Sequence, residues 1–298
     1  MEIRHRILQF NNAPEYDLLI AEFNRIGCKY KYNENSFLSS IEYTFSEHET
    51  YSPELLKFAN ANEIMVQSAL YYNEQEILSA EWVIAEVGEF QYPQPEDSYI
   101  KTTYNTQDYC GRCGQGAKQD KPFRLKKDFV QRQAKFLGLH WVFDEIFVRP
   151  EVRRIFDAHG ILGVKYRDVI HHKTSQPISN VLQLDIPILE EKGLVTENLF
   201  SVTCKPQNEE SYIKGLGRIK ERPGLPYCGR VKYHYPLTEP FMFKASALTG
   251  LPDFVKSNEY YGSGLGAYHF ILVHNRVVLL VKEKGLQGLG FRRPVHLV

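Results

Sequence analysis

At 298 residues, with 43% hydrophobic and 24% charged content, the chain has the composition of a globular protein and can bury more than one core. Its 36 basic and 36 acidic residues cancel, which argues against general affinity for nucleic acid or anionic membranes. The start of the chain carries no apolar run of signal-peptide length, and the longest apolar stretch, residues 270–281, is broken by His274-Asn275-Arg276. A cytoplasmic protein without a membrane contact is expected.

In chain order, residues 3–10 read as a strand and 17–26 as a helix that Gly27 ends. Residues 53–59 and 74–81 read as short helices, and 82–87 as the strand that follows. Pro150 before residues 151–159 and Gly160 after them are helix punctuation, and a strand over 163–166 comes next. Asn275 is expected to cap a second such helix, ended by Gly285, with a strand over 288–291. Strands alternating irregularly with short helices give the class α+β.

The chain also repeats itself. Pro93-Gln94-Pro95-Glu96-Asp97-Ser98-Tyr99-Ile100-Lys101 returns as Pro206-Gln207-Asn208-Glu209-Glu210-Ser211-Tyr212-Ile213-Lys214, and Tyr109-Cys110-Gly111-Arg112 returns as Tyr227-Cys228-Gly229-Arg230. At an offset of 118 residues, Pro122-Phe123 falls on Pro240-Phe241. At an offset of 125, Val152, Gly160, Gly163 and His171 fall on Val277, Gly285, Gly288 and His296. The drifting offset marks loop insertions in the second copy. The expected organisation is two related α+β repeats with an N-terminal α+β extension and a zinc-knuckle-like insertion. The extension covers residues 1–80, repeat A with the knuckle 81–172, a linker 173–197, and repeat B with a degenerate knuckle 198–298.

Five cysteines, an odd number without an export signal, read as metal ligands rather than a disulfide framework. Two thiolates two residues apart can chelate one tetrahedral zinc ion from a tight turn, and glycine lets the backbone come close; Cys110-Gly111-Arg112-Cys113-Gly114 has both features. Copy B has Val231 where Cys113 would be matched. The site expected is therefore Cys110, Cys113, Cys204 and Cys228, with His234 as substitute for the fourth position. Such an ion pins a loop and contributes folding energy rather than catalysis. No catalytic residue is assigned, because Gly-x-Ser-x-Gly, His-Glu-x-x-His and Walker patterns do not occur. Lone Cys28 reads as a core residue, His171-His172 as a polar strand end, and residues 262–266 as a glycine-rich connection.

Basic stretches flank the cysteines. Eight Lys and Arg between Arg112 and Lys135 face two aspartates, and six between Lys214 and Lys232 face one glutamate. A zinc ribbon beside such stretches can follow a phosphate backbone, so Arg112, Lys126, Lys127, Arg230 and Lys232 are the contacts of a nucleic-acid-binding alternative.

The intact CxxCG, the partial second cysteine motif and the helix–Gly–strand close after each resemble the double-CxxCG type of bacterial protein, and in part the immunity-type proteins of bacterial polymorphic toxin systems. The resemblance covers about residues 81–298 and departs from the pattern at Val231. It implies a cytosolic, non-catalytic protein that binds another protein.

Overall fold

A computed structural model describes residues 1–33, 39–88, 91–92, 99–126, 133–197, 199–206, 224–234, 238–262 and 265–298. They fall into two compact units, Met1–Asn73 with Leu237–Pro240, and Glu74–Pro236 with Phe241–Val298. Helices and strands in several sheets make the protein α+β. Among the described residues, no helix is long and apolar enough to cross a membrane.

The first unit runs β1 (Glu2–Phe10), α1 (Tyr16–Ile26), β2 (Lys31–Asn33), β3 (Ser40–Ser46), α2 (Ser52–Ala61) and β4 (Val66–Tyr71). The sheet order β2-β3-β1-β4, antiparallel throughout, is that of two interleaved split β-α-β units, as in ferredoxin-like sheets. Alternation along β3 turns Ile41, Tyr43 and Phe45 inward, where they meet Leu19 and Phe23 of α1 and Leu55 and Ala59 of α2. Cys28 lies in this core. The N-terminal region is thus a unit with its own core rather than an extension, and it stops at Asn73, short of residue 80.

The second unit begins with α3 (Glu74–Ser79), β5 (Trp82–Glu86), β6 (Gln91–Tyr92), α4 (Tyr99–Thr103), β7 (Tyr104–Asn105), β8 (Lys118–Gln119) and β9 (Arg124–Leu125). It continues through β10 (Phe136–Leu139), β11 (Val142–Val148), α5 (Pro150–Ala158), β12 (Lys165–His171) and β13 (Pro177–Asp185). The remainder is β14 (Ser201–Thr203), β15 (Val231–Tyr233), β16 (Phe241–Phe243), β17 (Phe254–Lys256), β18 (Tyr260–Tyr261), β19 (Ile271–His274), α6 (Asn275–Glu283) and β20 (Gly290–Leu297).

Two larger sheets carry this unit. One has the order β6-β10-β11-β13-β12-β9, the other β16-β20-β5-β19-β17. Their registers coincide: Phe136 pairs with Val148 as Phe254 pairs with Val273, and Ile146 pairs with Leu184 as Ile271 pairs with Ala85. The edge strands β9 and β16 both run parallel to their neighbours. Even an ion pair recurs, Arg167 with Asp185 at 2.8 Å in one sheet and Arg292 with Glu86 in the other.

The helices close in the same manner. Gly160 and Gly285 take φ of 60° and 59°, and the next residues, Ile161 and Leu286, each donate a backbone bond to the carbonyl five residues back. This left-handed ending satisfies carbonyls that the last turn leaves open. At the other end the cap of α6 is His274, whose ring accepts from the Arg276 N–H. Asn275 does not cap. Its side-chain amide instead donates to the Leu78 and Ala80 carbonyls, which tie down the end of α3.

The central strands enter differently. β13 follows β12 through a short turn, so residues 173–197 are not a linker but hold the middle strand of the first sheet. The matching position in the second sheet is filled by β5, from the beginning of the unit. One face of each sheet, with α5 and α6, forms a shared core in which Val152, Phe156 and Ile161 meet Val277, Val281 and Leu286. The opposite faces bury separate clusters, around Phe123 and Phe147 in one sheet and Phe241 and Leu272 in the other.

Candidate metal centre

Between β7 and β8 the chain turns tightly around Cys110 and Cys113. The Gly114 N–H donates to the Cys110 carbonyl at 2.8 Å, and the Cys110 N–H donates to the Gln115 carbonyl at 2.8 Å. Gly114 has a φ of 80°, and a Cβ there would stand 2.0 Å from the Leu265 carbonyl oxygen. Only glycine fits.

The second pair of thiols is built without a CxxC. β14 and β15 are antiparallel, pairing Thr203 with Val231, so Cys204 just after one strand lies beside Cys228 just before the other. The Cys204 N–H donates to the Arg230 carbonyl at 2.8 Å, and the Gly229 N–H returns to the Cys204 carbonyl at 3.0 Å. The sequence motif was incomplete because a strand pair, not a second knuckle, supplies the ligands.

The four sulfurs converge within 4.8 Å of one another, with Cys110 and Cys204 at 3.8 Å and Cys113 and Cys228 at 3.6 Å. Zinc–thiolate bonds of about 2.3 Å in a tetrahedron place sulfurs roughly 3.8 Å apart, so the cluster has the size such an ion demands. The donor set fits as well. Burial pushes the Cys113 and Cys204 thiols up, which disfavours bare thiolates. Burial pushes Cys110 up too, but N–H groups of Cys113 and Arg112 outweigh it and bring that thiol down to about 7. One thiolate forms readily, and further ones need a cation among them. These four residues could hold a metal ion.

His234 is not part of this cluster. Its ring lies 4.9 Å from that of Phe200. Burial holds its imidazole below the usual range. Three of the five basic residues considered for nucleic acid are tied up at the knuckle. Arg112 is buried, donates to the Leu225 carbonyl at 2.6 Å and lies over the Tyr227 ring. Arg230 donates to the Asp108 and Gln115 carbonyls. Lys232 is buried and donates to the Gly266 carbonyl; burial lowers its proton affinity while the Cys113, Cys204 and Cys110 sulfurs raise it. A lysine so placed offsets the negative charge of a tetrathiolate centre. Lys126 is exposed, and Lys127 lies outside the described residues. So do residues 93–98 and 207–223, which carry most of the longest repeated string.

The His171 ring Nε2–H donates to the Lys126 carbonyl at 3.1 Å. The ring of its neighbour His172 lies 5.2 Å away, tilted by 48°. A comparison with known protein families and with curated proteins finds no match to this chain.

Proposed function

We propose that Cys110, Cys113, Cys204 and Cys228 bind one structural zinc ion and that the chain acts as a non-enzymatic binding protein whose partner is another protein. The convergence of four sulfurs at tetrahedral spacing carries the zinc half of this reading. Four protein thiolates fill the coordination sphere of zinc and leave no position for a reacting water, the arrangement of structural rather than catalytic sites. The ion would join the knuckle of residues 110–114 to the β14–β15 pair, where Val202 and Tyr227 pack against the cysteines. The protein-binding half rests on the resemblance to double-CxxCG and immunity-type proteins.

Elemental analysis of purified protein tests the first half, with one zinc per chain expected and a metal-free folded protein overturning it. Affinity capture from the native host tests the second. A single protein retained in stoichiometric amount supports it, and none retained removes it.

A further inference from the structure

A cavity of about 580 Å³ opens in the second unit beside the knuckle, large enough for a small organic ligand. It is walled by residues of β11, the chain after β13, the stretch from Lys256 to Tyr260, and the segment before β19. At its base Lys256 donates to Glu145 at 2.8 Å, and both side chains are buried. Gln183 donates to the other Glu145 oxygen at 2.8 Å. A buried ion pair contributes little to stability that apolar side chains would not. The pair joins the two sheets, Glu145 from β11 and Lys256 from β17, and the corresponding positions, at offsets of 125 and 118, hold the uncharged Phe270 and Gly138.

The mouth has a second unusual feature. Trp141 is 71% exposed and sits in the left-handed region at φ 65°. A bulky residue rarely adopts that conformation, and such strain gathers at functional positions. Phe143 is also exposed and lies 6.4 Å from Trp141 and 5.3 Å from Tyr268. Aromatic rings carry negative quadrupole density on their faces, and both rings line the cavity.

The charges of the wall are mostly matched. Lys256 pairs with Glu145, and Arg167 with Asp185. Lys118 is at the exposed rim, where water and salt screen it. Burial keeps the His269 ring below the usual imidazole range, so it brings no competing cation at neutral pH. Asp144 remains. Its carboxylate accepts from the His269 backbone N–H at 3.1 Å and forms no ion pair among the described residues. A carboxylate without a direct ion-pair partner, in the same cavity wall as exposed aromatic rings, suits a cation.

We propose that this cavity is a binding site for a small organic cation, an amine or guanidinium compound, held between Asp144 and the rings of Trp141 and Phe143. The reading is independent of the metal.

The protein carries two tryptophans, and Trp82 is buried at 2% exposure, so a ligand-dependent change in emission reports on Trp141. Agmatine, cadaverine and choline are titrated into the intact protein, with succinate as the anionic control. A saturable change with at least one cation and none with succinate is expected. By calorimetry, Asp144→Asn, which keeps the acceptor for His269, should weaken that cation at least about tenfold. Trp141→Gly relieves the φ strain, so it should raise the melting temperature while binding is lost; a merely structural tryptophan would give the first effect without the second. Absence of a saturable signal from all three cations, equal binding of succinate, or undiminished binding by Asp144→Asn would each overturn the proposal.

Discussion

The two large sheets of the second unit share strand order, register and helix endings, yet they acquire their central strands by different routes. β13 reaches the first sheet as a hairpin from β12, whereas β5 pairs with β20 across the full length of the unit, Glu86 opposite Gly290. A local hairpin costs little chain entropy to close, and a pairing two hundred residues apart costs more and forms later. The shared pairing scheme shows that backbone geometry tolerates wide change at positions facing the cavity and little at those facing the common core. Val148 and Val273, or Val152 and Val277, are identical in type, while Glu145 and Phe270 are not.

The sharpest break of this comparison is a cut between the halves. Cleaving the gene in the turn at residues 173–176 leaves each product without the middle strand of the sheet it otherwise forms. The part of each product that belongs to the second unit should not fold alone, although residues 1–73 of the first keep their own core, and the two products co-expressed should associate into a stable complex. Protected amides at Phe136 and Val148 in the first product alone, or cooperative thermal unfolding of the second alone, would show that the central strands are dispensable.

The next largest effect concerns the join between the halves. Cys110 and Cys113 belong to one, Cys204 and Cys228 to the other. If the proposed zinc is bound, an ion worth on the order of 10 kcal/mol or more in small structural sites, Cys113→Ser should release it and disorder the knuckle while both sheets persist. Hydrogen exchange checks this. The amides of Gly114, Cys204 and Gly229 should lose protection, and those of Phe136 and Val148 should keep it. Equal loss throughout would mean that the sheets depend on the metal too. Acid should act in the same direction, because protons compete with the ion for thiolates.

Much of this was legible in sequence wherever the signal is local. Pro150, Gly160 and Gly285 marked helix boundaries because fixed φ and left-handed backbone demand those residues on the spot. The first thiol pair was visible for the same reason. The second lay 24 residues apart and became a pair only through the register of β14 and β15. β13 lies in the stretch between the repeats that was expected to be a linker; its Gln183 is buried, bonded to Gln119 and Glu145 through contacts distant in the chain. Lys232 carried the look of a surface cation, and its burial beside the sulfurs depends on contacts distant in the chain. The Glu145–Lys256 pair, 111 residues apart, had no sequence signature at all.

That pair offers a smaller break. Lys256→Met alone leaves Glu145 buried without its cation and should cost about 3–5 kcal/mol, measured by denaturant unfolding. Adding Glu145→Leu should recover most of the loss, because the corresponding positions, Phe270 and Gly138, are uncharged. If the double variant were as unstable as the single, the ion pair would be a structural requirement of the contact between the two sheets.

The smallest expected effect tests the resemblance where it is closest. Arg167–Asp185 and Arg292–Glu86 occupy corresponding positions, but the arginines are 36% and 67% exposed. Exposed pairs of this kind couple by roughly 0.2–1 kcal/mol, and less as water screens them further. Double-mutant cycles should therefore return a larger coupling for Arg167–Asp185 than for Arg292–Glu86, both shrinking as salt is raised. Arg167 also borders the cavity, so its coupling should change when a cation binds nearby, whereas that of Arg292, outside the cavity wall, should not. Reversal of the order would mean that strand register, rather than solvent exposure, sets the strength of these pairs.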